Sequence, residues 1–361
     1  MTQPSESDTR PGRGAPLLGF WYPALLSREV RPGRMKAQQI LGMPLVICRD
    51  REGRPFAFRD ICPHRAMPFS FGRFDGERLE CSYHGWQFDM TGKCRHIPSL
   101  VEGSGIQTDK IEATTYPSSE QDGYIWVYVP DPAGKNGPPP EVPKLPLFSG
   151  RYRSLRIAAM LTCTIDDGIV GLMDPAHGPF VHQSVWWRTR SSIHEKAKVF
   201  EPIPSGFRMV AHEASRNSGL YKVLGFSGAP IMTTIDFILP NLRLELIQAG
   251  PYWFSSRATV TPITERECRI DFCAAWNCFR WVPFSTSLFR MFARVFLDQD
   301  KRAMERQALG IRYNPPMMLL DDADTPAKWY YKLKAAHLAA RGSGGPLEHP
   351  LQGPVTLRWR S

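Results

Sequence analysis

The sequence predicts an α+β chain of two domains, an all-β domain first and then a larger antiparallel-sheet domain backed by a long helix. Three observations predict it. Strand-like runs separated by turn residues occupy residues 17–130; a Pro/Gly-rich stretch interrupts the chain at 131–150; and beyond it several strand-like runs precede one long stretch of helical period. At 361 residues the chain is long enough for two substantial cores.

Residues 1–16 are polar and contain Pro and Gly, so they are expected to be disordered, and they hold no apolar signal-peptide core. Globular sequence begins at Gly19-Phe20-Trp21-Tyr22-Pro23. Residues 39–48 and 55–58 read as strands around a turn at 49–53. Residues 123–129, GYIWVYV, are the clearest strand and are expected to close the first domain. The Pro and Gly of residues 131–140 forbid regular structure, which makes 131–150 the linker. Within the second domain, 151–340, runs at 233–239, 242–248, 257–261 and 269–276 have the spacing of an antiparallel sheet. Residues 283–310 have helical period instead, with Phe289, Phe292, Phe296, Ala303 and Gln307 near one face. Residues 341–361 are left as a C-terminal tail.

A net charge of +10 permits nucleic-acid binding, but the Lys and Arg are dispersed and form no nucleic-acid motif; an acidic redox partner or a membrane surface fits better. No run approaches the ~20 apolar residues of a transmembrane segment, so a cytoplasmic protein is expected. Eight cysteines in a chain of this length do not make a disulfide scaffold.

Two of those cysteines stand in a constellation: Cys62-Pro63-His64, a spacer at 65–80, then Cys81-Ser82-Tyr83-His84-Gly85-Trp86. Two thiolates and two imidazoles can hold either a tetrahedral zinc or a [2Fe–2S] cluster with two Cys on one iron and two His on the other. Zinc sites more usually segregate Cys and His on separate knuckles, whereas each loop here carries one of each and can reach both irons. That pattern favours the cluster. A lone C-x-x-H arises readily by chance; the paired loops do not. Cys48, Cys94, Cys163, Cys268, Cys273 and Cys278 are left as buried or inert thiols.

The second constellation is Asp174-Pro175-Ala176-His177-Gly178-Pro179-Phe180-Val181-His182. Two neutral imidazoles and one later carboxylate make a facial triad that leaves positions open on Fe(II). On a straight helix His177 and His182 would point about 140° apart, and Pro175 and Gly178-Pro179 break such a helix. An isolated H-x4-H is more often a pair of satisfied histidines beside a turn; the upstream motif reverses that balance. The carboxylate is sought at Asp298 or Asp300. At 100° per residue Asp300 falls about 40° from Phe296, while Asp298 points away, so Asp300 is the candidate and a solvated acid pair beside Lys301 and Arg302 the alternative. Asp174, three residues before His177, can hold an imidazole in its metal-binding tautomer.

In these motifs and their order the chain resembles the Rieske non-haem iron oxygenases over most of its length. It is closer to the homo-oligomeric monooxygenases, such as the vanillate demethylase and chlorophyllide oxygenase groups, than to the two-subunit dioxygenases. The resemblance implies a Rieske [2Fe-2S] domain followed by a helix-grip (START-like) catalytic domain. It assigns Cys62, His64, Cys81 and His84 to the cluster, and His177, His182 and Asp300 to a mononuclear Fe(II). It makes Asp174 a catalytic residue that contacts His84 or His64 of the next chain in a homotrimer and carries the electron path. A separate reductase or ferredoxin is implied as donor, since the chain has no G-x-G-x-x-G fingerprint. The implied activity is that of a terminal oxygenase that uses O2 to hydroxylate or demethylate a hydrophobic small molecule. Leu224, Phe226, Ile231, Met232, Phe237, Leu239, Leu244 and Leu246, all uncharged, are the pocket candidates and suggest a polycyclic or sterol-like substrate. A ring-hydroxylating dioxygenase and a lipid carrier with a non-catalytic Rieske domain remain open.

Overall fold

The computed structural model describes residue 14 and residues 16–133, 137–183, 190–213, 227–313, 315, 317–343 and 347–361. Apart from residues 14 and 16, the expected disordered N-terminus lies outside these. The chain divides into two compact units, Leu18–Lys144 and Leu145–Ser361, the latter joined by Met1–Leu17.

The first unit is all β. Strands β1 (Phe20–Leu26), β2 (Arg34–Ile40), β3 (Met43–Arg49) and β4 (Pro55–Arg59) lead to the short β5 (Arg73–Phe74), β6 (Arg78–Glu80), β7 (Gln87–Asp89) and β8 (Cys94–His96). Then follow β9 (Thr115–Tyr116), β10 (Ser118–Gln121) and β11 (Tyr124–Val129). They form three antiparallel sheets, ordered β1-β11-β10, β2-β3-β4-β9 and β5-β6-β7-β8 among the described residues. The run at 39–48, expected as one strand, is split by a two-residue hairpin turn between Ile40 and Met43. Leu41 and Gly42 both have positive φ, the backbone that a type I′ turn demands and that the apolar run conceals.

The second unit is built on an antiparallel sheet of eight strands in the order β12-β18-β17-β16-β15-β14-β13-β19 among the described residues. These are β12 (Arg153–Leu161), β13 (Glu195–Ile203), β14 (Gly206–Glu213), β15 (Ile231–Ile238), β16 (Leu242–Ala249), β17 (Tyr252–Pro262), β18 (Cys268–Trp276) and β19 (Val355–Arg360). Among the described residues it also holds helices α1 (Ile165–Met173), α2 (Gly178–Val181), α3 (Ser285–Ile311) and α4 (Thr325–Ser343). Among the described residues no helix is long and apolar enough to cross a membrane.

Strands β12, β13 and β14 and helices α1 and α4 lie where the sequence reading names no element, and two of its expectations for this unit are corrected. The terminal segment taken as a tail supplies the edge strand β19, paired with β13 from Glu195↔Arg360 to Phe200↔Val355; its alternating VTLRWR is too short to stand out without its partner. Helix α3 turns inward only part of the face read: Phe289 and Phe296 pack inward, but Phe292 and Gln307 are exposed. Leu297 is buried and Phe289 packs on Trp276, whereas Phe292 is 47% exposed together with Leu288, Met291 and Val295. The first half of the helix is apolar on most sides, so its period does not reveal which side meets the sheet.

Helices α1 and α4 are bound to each other by a buried ionic cluster. Asp166 is fully buried and accepts hydrogen bonds from Lys334 Nζ and Tyr330 Oη, both at 2.6 Å, and from the Gly14 amide at 2.8 Å. A buried charge is costly unless paired in this way, so the contact sets where α1 lies and where the chain leaves it.

Candidate metal centres

The two loops of the first constellation have the same backbone frame. The Cys62 amide donates to Met67 O at 2.9 Å and the Ala66 amide returns to Cys62 O at 2.9 Å; the Cys81 amide donates to Trp86 O at 2.9 Å and the Gly85 amide returns to Cys81 O at 3.0 Å. The fifth residue of each loop, Ala66 or Gly85, takes a positive φ that closes the turn. Both cysteines are anchored in the core with Phe58, Phe69, Leu79 and Phe88. Asp60 pins the first loop's neighbourhood by accepting from the Ser70 amide at 2.7 Å and its hydroxyl at 2.6 Å.

This frame brings Cys62, His64, Cys81 and His84 together. The His64 and His84 ring centroids are 4.6 Å apart, and the two thiols are close enough to hydrogen-bond. Trp86 stacks flat on His64, with centroids 4.4 Å apart and planes within 5°, while Tyr83 packs on His84. Burial pushes the Cys62 thiol up to about 11, so a bound cation is needed to make it a thiolate at neutral pH. Desolvation, with the charges of His84 and Arg65, holds His64 below its ordinary value and hence neutral, as a ligand imidazole must be. Two buried thiols facing two imidazoles, each contributed symmetrically, fit a binuclear cluster.

The second constellation begins where α1 ends. Asp174 caps that helix, and Pro175 disfavours its continuation. His177 and His182 bracket the single turn α2, one on entry and one on exit, so the chain direction changes between them. Their Nε2 atoms are 3.1 Å apart, and Asp300 Oδ1, on α3, lies 3.1 Å from His182 Nε2 and 3.9 Å from His177 Nε2. Ligand atoms at right angles on a divalent ion with bonds of about 2.1 Å stand about 3 Å apart, so these three donors fit one. Asp298 is exposed and outside the group.

Asp174 supports this group locally. Its Oδ1 accepts from the Ala176 amide at 2.7 Å and its Oδ2 lies 3.6 Å from His177 Nδ1. Burial would raise the Asp174 carboxyl, but His177 and the backbone amides outweigh it and hold it below the usual range. Burial likewise would lower His177, and the carboxylates of Asp174 and Asp300 raise it instead. A metal ion bound at Nε2 would displace that proton.

Sequence reasoning passed over the partners of His182. Gln299 Oε1 lies 3.1 Å from His182 Nδ1, and Phe296 stacks on the imidazole with centroids 3.5 Å apart and planes within 14°. Phe296 is four residues from Asp300 and so falls near it on the helix, which was the available signal; Gln299, one residue from Asp300, carried none of that kind.

The pocket candidates do not share one side of the sheet. Residues paired directly across antiparallel strands point the same way, so Phe237 and Arg243, Ile235 and Glu245, and Thr233 and Ile247 face one side, while Leu244, Leu246 and Met232 face the other. The Arg243 guanidinium over the Phe237 ring, at 5.9 Å, agrees. Phe237 and Leu239 line a cavity of about 20 Å³ against Ile169, Met173 and Leu333 of the helices. On that side β16 presents the ion pair Arg243–Glu245, at 2.8 Å, rather than an uncharged row. Leu224 and Phe226 lie outside the described residues.

Comparison with known proteins finds one match within each unit. Residues 20–117 match the Rieske [2Fe-2S] domain, and residues 171–335 match the vanillate O-demethylase oxygenase C-terminal domain. Pheophorbide a oxygenase of Oryza sativa subsp. japonica is 30% identical over 344 residues, 88% of this chain and 60% of that protein. The 4beta-methylsterol monooxygenase of Methylococcus capsulatus is 35% identical over 127 residues, 35% of this chain and 34% of that protein. Such curated relatives are matched over only 25% to 60% of their own length. Among solved structures, dicamba monooxygenase bound to dicamba superposes with a TM-score of 0.70 at 24% identity, covering 89% of this chain and 98% of that one. Pseudomonas putida CBB5 NdmA with caffeine gives 0.72 at 20% identity, covering 93% and 96%. These likenesses show a shared fold.

Proposed function

Since this chain belongs to the Rieske non-haem iron oxygenases, we propose that it is a terminal oxygenase that hydroxylates or oxidatively demethylates a hydrophobic small molecule with O2. The observation that carries this reading is the presence of both donor sets in one chain, each inside the segment that matches its domain. A bound [2Fe–2S] cluster and Fe(II) would supply electron relay and oxygen activation.

The protein's own residues supply position and protection. Cys62, His64, Cys81 and His84 would hold the cluster, with Trp86 walling one imidazole from solvent. His177, His182 and Asp300 would hold the iron, and a set of only three protein ligands leaves positions open to other groups. Asp174 orients His177. Its side chain is 32% exposed, which leaves it able also to reach His84 or His64 of a neighbouring chain in a homotrimer. A separate reductase or ferredoxin is the proposed donor, and a polycyclic or sterol-like substrate is suggested by the relatives named for methylsterol and pheophorbide. A cytoplasmic location belongs to the same proposal, since eight buried cysteines in a chain of this length do not make a disulfide scaffold.

Metal analysis tests the reading. The purified protein should carry two cluster irons with labile sulfide and one further iron per chain, and substrate-dependent O2 uptake should appear in a screen of hydrophobic compounds. Zinc alone, without sulfide, would remove it.

A further inference from the structure

We propose that Gln299 is a positioning residue that sets the tautomer of His182, and that Phe296, three residues earlier on α3, holds the same ring by stacking. Phe296 covers one face of the imidazole at 3.5 Å between centroids. Gln299 presents Oε1 to Nδ1 at 3.1 Å, and Asp300 presents Oδ1 to Nε2 at 3.1 Å. His182 is only 2% exposed, so water does not compete for either nitrogen.

An amide oxygen can only accept, so with Oε1 turned to the ring the proton sits on Nδ1. The lone pair of Nε2 is thereby left facing His177 Nε2 and Asp300 Oδ1. The two histidines are supported differently: the group behind His177 is the carboxylate of Asp174, whereas the group behind His182 is neutral. Gln299 thus orients its imidazole without adding a second negative charge behind the ligand group.

This inference rests on His182 being an iron ligand, and the experiment separates the two. Cluster-loaded protein stripped of mononuclear iron is titrated with Fe(II) anaerobically, and the nitric oxide adduct is examined by electron paramagnetic resonance. Gln299→Leu should bind Fe(II) about 10- to 100-fold more weakly, with altered rhombicity of the nitrosyl signal and an unchanged cluster spectrum. Gln299→Glu, of the same shape and still an acceptor, should restore the affinity. Wild-type affinity and signal in Gln299→Leu, while His182→Ala loses iron, would overturn the role of Gln299 alone. Undiminished iron binding in His182→Ala would instead overturn the ligand assignment beneath it. Should Gln299→Leu fail to fold, Gln299→Met, of similar length but without the amide oxygen, takes its place: wild-type affinity and signal there would reduce Gln299 to packing and overturn the proposal.

Discussion

Asp300 Oδ1 stands 3.1 Å from His182 Nε2, although the two residues belong to different elements far apart in sequence. The contact joins the last residue of the Asp-x-x-His-x4-His motif to the middle of α3, and makes the position of that helix part of the candidate iron site.

Removing the Asp300 carboxylate should therefore lower mononuclear iron per chain at unchanged cluster absorbance, while Asp298→Ala, altering an exposed acid, should leave iron occupancy at the wild-type value. Elemental analysis of both variants checks this. The reverse pattern would move the ligand to Asp298.

The two centres should fail separately. In Cys81→Ser the thiolate is replaced by a poor alkoxide donor, and the visible absorption of the cluster should disappear. In His177→Ala that absorption should remain, with the further iron and product formation lost. A Cys81→Ser protein with the wild-type spectrum would show the cluster to lie elsewhere.

Asp174→Asn distinguishes a bridge between chains from local support. The amide keeps a hydrogen-bonding group of similar size but removes the charge. If Asp174 carries electrons across a subunit interface, the partner should reduce the cluster at a normal rate, and reoxidation with O2 and substrate should collapse while iron stays bound. Stopped-flow absorbance measures both phases. Fast reoxidation at full iron would confine Asp174 to its contacts with Ala176 and His177.

The matched turns at Ala66 and Gly85 should respond unequally to substitution. At Gly85 φ is +69°, and an added Cβ would lie 3.0 Å from Pro98 Cγ, so Gly85→Ala should lower stability by about 1–3 kcal/mol. Ala66 already endures φ of +58°, and Ala66→Gly should change stability by no more than about 1 kcal/mol. Thermal unfolding followed at the cluster absorbance compares them; equal losses would contradict the turn geometry.

The candidate metal-binding residues were legible before any fold was known because ligand chemistry is written locally. Cys62-x-His64, Cys81-x-x-His84 and His177-x4-His182 each need only a short loop, and the Pro and Gly that shape those loops lie inside the motifs. The strands of the second unit were equally visible wherever apolar runs were long, as at residues 269–276. Long-range pairing was not visible. Whether Leu244 or Arg243 faces the helices depends on the register of β16 against β15, which alternation within either strand leaves open by one residue. The hairpin at Leu41-Gly42 was hidden because apolar residues flank a turn whose signal is backbone sign alone. Gln299 could be placed beside His182 only once α3 was rotated against the sheet, and a helix whose first half is apolar on most sides does not specify that rotation by its own pattern. Local chemistry thus named the donors, while packing between distant segments chose their supports, since burial free energy is gained against whichever surface the rest of the chain provides.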